Sequence, residues 1–178
     1  MRHFSRTDLS GITCSASFSD CEAYRYLLTW RWSPSPLLVA WMLNPSTATH
    51  ERLDPTISGL VSRARAWGQG GVRVINLFAF RATQPADMRR VIDPIGPDND
   101  AVTLGVLTRA ARNGEPVICA WGNHGQHLAR DRAAVALASR AGADLRALAV
   151  NGNGSPKHPL YIPHCVTPQP WMPEARLA

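Results

Sequence analysis

Apolar residues fall in short runs separated by stretches with helical spacing, and this alternation predicts the elements of the chain. Residues 24–32 and 37–43 are two β-like runs broken by Ser33-Pro34-Ser35-Pro36, which predicts a hairpin. Asp54-Pro55-Thr56 opens a helix, with proline at an early position, that should reach Trp67 before Gly68, Gly70 and Gly71 end it. A strand follows over 72–78. The stretch 81–98, with Pro85, Pro94, Gly96 and Pro97, reads as a long loop holding at most a turn of helix. Asp98 or Asn99 can cap a helix that runs to about Asn113 and stops at Gly114. Residues 116–121 are almost continuously apolar, as in a strand buried on both faces. A helix over 127–141 and a fourth strand over 145–150 follow, and from Gly152 the Gly- and Pro-rich tail is expected to be irregular.

The series is β-α-β-α-β-α-β preceded by an antiparallel strand. It predicts an α/β domain of three α/β/α layers, with a central, mostly parallel four-stranded sheet plus one N-terminal antiparallel strand. A length of 178 residues fits one domain, with 1–20 and 168–178 at its periphery. In such sheets ligands sit beyond the carboxyl ends of the strands. The segments that follow the strands here are Asn44-Pro45-Ser46-Thr47, Asn76-Leu77-Phe78, Gly122-Asn123-His124-Gly125 and Asn151-Gly152-Asn153-Gly154.

Composition narrows the class. With 45% hydrophobic and 18% charged residues, the chain is of ordinary globular type, neither disordered nor repetitive. A net charge of +6 comes almost wholly from arginine, Lys157 being the single lysine among 19 basic residues. Arginine binds phosphate bidentately and stacks on bases, which fits a nucleic-acid partner; a G+C-rich coding bias toward arginine, alanine and proline explains it equally well. If the excess is functional, it should surround the rim formed by Asn44, Asn76, Gly122 and His158. Residues 1–20 lack the apolar core of a signal peptide, and no uncharged apolar run reaches about 18 residues, so a cytoplasmic protein without membrane contact is expected. A monomer is the default. The four cysteines form no Cys-x-x-Cys pair and are expected to be thiols; neither they nor the six histidines show zinc spacing, so no metal is expected. Phosphate-loop, Gly-x-Gly-x-x-Gly and Gly-x-Ser-x-Gly patterns are absent, and no cofactor is expected.

Three polar residues stand out. Asn44, followed directly by Pro45, lies at a strand tip, where its amide can orient a water or simply form an Asx-turn. Asn76 interrupts the apolar run Val74-Ile75-Asn76-Leu77-Phe78; a buried amide needs a partner, and its two edges suit the edge of a nucleobase. His158, between Pro156 and Pro159, is an imidazole with a stiffened backbone, set to donate to a carbonyl oxygen unless it is an ordinary loop histidine.

Taken in order, Met42-Leu43-Asn44-Pro45-Ser46, Val74-Ile75-Asn76-Leu77-Phe78, Ala120-Trp121-Gly122-Asn123-His124-Gly125-Gln126 and His158-Pro159-Leu160 resemble the four landmarks of the uracil-DNA glycosylase superfamily. At closer range, Arg25-Tyr26-Leu27-Leu28-Thr29, Asp54-Pro55-Thr56, the acidic stretch 93–100 and His158-Pro159-Leu160-Tyr161 resemble the domain-of-unknown-function family sixteen forty-three over nearly the whole chain. The glycosylase resemblance implies a glycosylase-like fold and a nucleobase flipped out of DNA, since the reacting atoms are inaccessible in the stack. It implies catalytic roles for Asn44, which positions water, and His158, which stabilises charge on the leaving base, with Asp54 the nearby carboxylate that otherwise caps a helix. Base-binding roles fall to Asn76, Phe78, Trp121, Gly122 and His124, and substrate or phosphate contacts to Ser46, Thr47, Arg81 and Lys157; Arg63, Arg65, Arg89 and Arg90 are further phosphate candidates. The late motif reads His-Pro-Leu-Tyr instead of His-Pro-Ser, and Ser46-Thr47-Ala48 lacks a stacking aromatic, which argues against uracil itself. The expected partner is DNA or a nucleotide. Three functions remain: N-glycosidic hydrolysis at a modified pyrimidine, transfer of a group onto such a base, and binding without catalysis.

Overall fold

A computed structural model describes residues 1–46 and 54–172. It is α/β, with one mixed eight-stranded sheet and four helices among the described residues. In chain order the strands are β1 (Arg2–Thr7), β2 (Thr13–Phe18), β3 (Arg25–Arg31), β4 (Leu37–Met42), β5 (Gly71–Asn76), β6 (Val117–Cys119), β7 (Leu145–Ala147) and β8 (Gln169–Pro170). The helices are α1 (Pro55–Ala66), α2 (Pro85–Met88), α3 (Asn99–Asn113) and α4 (Arg130–Ala141). Across the sheet the order is β1-β2-β3-β5-β4-β6-β7-β8. β5, β4, β6 and β7 run parallel to their neighbours within that group, while β1 to β3 on one side and β8 on the other are antiparallel.

The sheet is therefore larger and more mixed than the alternation suggested. Residues 1–20 supply two of its strands: β1 lies exposed at the edge, and β2 sends Cys14, Ala16 and Phe18 into the core. The expected hairpin does not form. β5 lies between β3 and β4, antiparallel to the first and parallel to the second. The Pro-rich connection crosses the start of β5, where the Gly70 carbonyl accepts from the Trp32 and Ser33 amides and the Gly70 amide donates to Pro36. That crossing requires glycine: a Cβ on Gly70 would stand 2.4 Å from the Ser35 carbonyl oxygen, and one on Gly71 2.3 Å from that of Trp30.

Successive residues of the central strands feed opposite faces, as strand geometry demands. Val39, Trp41, Ile75, Val117 and Cys119 pack with Leu107 of α3 and Leu137 of α4. Leu38, Ala40, Val72, Val74 and Ile118 pack with Ile57, Leu60 and Ala64 of α1. α1 starts as its sequence dictates, with Asp54 accepting from the Ile57 amide at 2.8 Å and proline in its first turn. Two other expectations need correction. α3 begins at Asn99 with no side-chain cap from Asp98, and α4 begins at Arg130, three residues later than expected. The residues before it, Asn123–Ala129, form 3-10 turns that bend where Leu128 and Ala129 take left-handed conformations. β6 and β7 are also shorter than their apolar runs, because only these residues pair in the sheet.

Candidate functional site

From β4 the chain passes to β5 on one side and then returns across β4 to β6 on the other, so the strand order reverses at β4. Beyond the carboxyl ends of parallel strands, such a reversal leaves a crevice that suits ligands. A cavity of about 560 Å³ opens there. Met42, Val74 and Ile57 give it an apolar floor; Asn44, Asn76, Asp54 and His158 are among its polar walls.

Asn44 leaves β4 toward this cavity. Its Nδ2 donates to the Ala82 carbonyl at 2.7 Å and to that of Pro45 at 3.1 Å, while the Ala82 amide donates back to Pro45. Both amide hydrogens are thereby committed, and the acceptor Oδ1 is the part left to act on a ligand. An amide oxygen orients a water by accepting from it but does not take its proton.

Asn76 ends β5 and is 2% exposed, yet among the described residues its side-chain amide makes no hydrogen bond. Its backbone, by contrast, is tightly held. Asn99, fully buried at the start of α3, donates to the carbonyls of Asn76 and Leu77 at 3.1 and 3.0 Å. Arg130, 3% exposed at the start of α4, donates from Nε to the same Leu77 carbonyl at 2.8 Å and pairs with Asp100 through both terminal nitrogens. The first turns of two helices thus clamp the strand end that carries the unpartnered amide. That amide lines the cavity and is open to a hydrogen-bonding ligand there.

The Nδ1 of His158 accepts from the Leu160 amide at 3.4 Å, which leaves the proton of the neutral ring on Nε2. Burial holds this imidazole below its ordinary pKa of 6.5, with the Asp54 charge opposing the shift. At neutral pH His158 is an uncharged donor. Asp54 is the one carboxylate on the cavity wall among the described residues; besides capping α1, its Oδ2 faces the Ser46 hydroxyl at 3.4 Å. Arg25, 5% exposed at the start of β3, also lines the cavity, its guanidinium lowered to about 10 by burial and then by the charge of Arg81.

At the end of β6, Trp121 stands edge-on to Trp41 and Trp171, with ring centroids 5.5 and 5.4 Å away. Gly122 then turns through a positive φ of 68°, and its amide donates to the Pro156 carbonyl at 2.8 Å. This bond ties the β6 tip to the segment bearing His158.

A family model matches residues 25–160, described as a protein of unknown function, DUF1643. The chain belongs to the DUF1643 family. The DUF1643 match runs from Arg25, on the cavity wall, to Leu160, whose amide bonds to His158, and so contains the site residues Asn44, Asn76, Trp121 and His158. No curated protein and no solved structure matches the chain.

Most of the sequence-predicted residues of this DUF1643 chain meet at the one cavity: Asn44, Ser46, Asp54, Asn76, Trp121, Gly122, His124, Lys157 and His158. Thr47 lies outside the described residues. Phe78 does not reach the cavity; the chain has left β5 by then, and the ring is fully buried in the core on the α3 side, 5.7 Å from His127. Arg81 also lies off the cavity, donating to the Glu22 carbonyl at 3.1 Å and lying over the Phe18 ring. Arg63 is buried under α1, donating to the carbonyls of Ile162 and Pro163, and Arg65 stacks on Trp32. The rim therefore carries little of the arginine excess. Sequence reasoning missed Arg25 as a cavity residue, although a lone charge opening an apolar run was a usable signal for it; Asn151, which it placed in a strand-end segment without a role, lines the cavity too. No three His, Cys, Asp or Glu side chains form a metal-binding group, and no helix is long and apolar enough to cross a membrane, among the described residues.

Proposed function

We propose that this protein handles a nucleobase, in the manner of the uracil-DNA glycosylases its motifs resemble, and hydrolyses the N-glycosidic bond of a modified pyrimidine flipped out of DNA. The reading extends to a glycosylase-like, three-layer arrangement of the fold. The observation that carries it is the convergence, in one cavity, of a buried unpartnered amide at Asn76, an acceptor oxygen at Asn44 and an uncharged donor at His158. A planar ring with adjacent donor and acceptor positions satisfies the Asn76 amide on both its edges. Asn44 Oδ1 holds a water for attack at the sugar carbon; as the C–N bond breaks, its electron pair passes to the base, and His158 Nε2–H donates to the oxygen on which that charge gathers. The water's proton goes to Asp54, the carboxylate of the cavity wall.

A second reading has one specific support. The buried guanidinium of Arg25 in the cavity wall suits a second substrate bearing a carboxylate, as a transferase acting on a modified pyrimidine would need. Oligonucleotides containing uracil, hypoxanthine or 5-hydroxymethyluracil, incubated with excess protein, test both. Alkali-labile abasic sites, lost with Asn44→Ala, are the expected result. A mass gain on an intact base in the presence of an amino acid supports transfer instead, and neither change excludes both reactions on these bases.

A further inference from the structure

A second cavity, of about 570 Å³, lies at the opposite end of the same strands. Arg31 closes β3, Arg73 lies in β5, and Arg109 and Asn113 follow one another by a turn on α3; all four line it, with Ser35 and Glu115. Val72 and Val74 face α1, so Arg73 between them projects to the α3 side.

The charges here are unbalanced. Glu115, 4% exposed, accepts through Oε1 from the Leu37 amide and from Asn113 Nδ2, both at 3.3 Å, while its Oε2 is buried without a partner. The Nε of Arg73 is likewise buried and unbonded. None of the three arginines forms an ion pair with Glu115. Three positive charges against one negative leave an excess of two. Burial, and then the Arg109 charge, hold the Arg73 guanidinium below its ordinary value, so proximity of like charge is already felt at this site.

We propose that this cavity binds a doubly charged oxyanion, inorganic phosphate or the phosphate monoester of a small molecule, through the guanidiniums of Arg31, Arg73 and Arg109. A dianion neutralises the excess, and a tetrahedral oxyanion accepts from several guanidinium forks at once. The site is independent of the nucleobase reading.

Inorganic phosphate is titrated into the full chain at constant ionic strength, with chloride as the replaced anion, and followed by calorimetry and thermal unfolding. Phosphate is expected to bind and to raise the melting temperature above the chloride control. The double variant Arg31→Gln/Arg109→Gln should weaken binding at least tenfold, while Lys157→Gln at the other cavity should leave it unchanged. Equal effects of phosphate and chloride, undiminished binding in the double variant, or loss of binding in Lys157→Gln would each overturn the proposal. Glucose 6-phosphate should compete with phosphate. A single-stranded oligonucleotide without terminal phosphate should not; displacement by the oligonucleotide means a backbone diester is the ligand and the dianion reading is wrong.

Discussion

At the carboxyl ends of β4, β5 and β6 the cavity is lined by amides, a neutral imidazole and one buried guanidinium, Arg25, whereas at the amino ends three arginines gather around one buried carboxylate. The two cavities differ in depth as well as charge. Asn76 is buried almost completely, while Arg109 stands exposed on α3. Each cavity nevertheless holds a buried ion, Arg25 in one and Glu115 in the other, and a buried ion is costly unless a partner offsets it.

The sharpest way to break the comparison is through packing. Trp121→Ala removes a ring wedged between two other tryptophans and should cost about 3–5 kcal/mol in urea denaturation, whereas Arg109→Gln at the other end should stay within about 0.5 kcal/mol of the parent. Next comes chemistry. Asn44→Ala should slow base release by about 10²–10³-fold in single-turnover assays and leave the phosphate response of the arginine cavity intact. A smaller effect tests the clamp behind Asn76: Asn99→Ala takes a donor from the Asn76 and Leu77 carbonyls, of which Leu77 keeps Arg130, and should lower stability by about 1–3 kcal/mol.

The smallest effect is a pH dependence. Because the folded pKa of His158 lies below its ordinary 6.5, the unfolded chain takes up the proton first, and the fold loses stability as pH falls from 6.5 to that lower value. The same protonation places a proton on Nδ1 and ends its acceptance of the Leu160 amide. His158→Gln should abolish this part of the slope in urea midpoints measured between about pH 7.5 and 5. A variant with an unchanged slope would place the titrating group elsewhere.

Much of the site was legible because its landmarks are local. A proline after Asn44, a polar residue inside an apolar run at Asn76, a glycine after Trp121 and prolines flanking His158 mark strand ends and stiff turns within a few residues. Helices α1 and α3 were readable for the same reason, with an aspartate and proline at the start of one and Gly114 at the end of the other. Phe78 was not: alternation along β5 would put it beside Asn76, but the strand stops first and the ring turns into the other core. Asn99, expected as a cap, instead spends its amide on carbonyls more than twenty residues away.

Local pattern, then, determined helices α1 and α3, the segments of strands β3 to β7, the order of the motifs and the α/β class, but not β1, β2 or β8. Only the tertiary structure decided that β5 enters between β3 and β4, that Arg25 joins the cavity wall, and that Arg31, Arg73 and Arg109 meet at the far end. Turn and helix signals act within one or two turns of chain, but strand neighbours are chosen by contacts between distant segments. Here the choice rests on Gly70 and Gly71, which let a Pro-rich crossing pass where any side chain would collide.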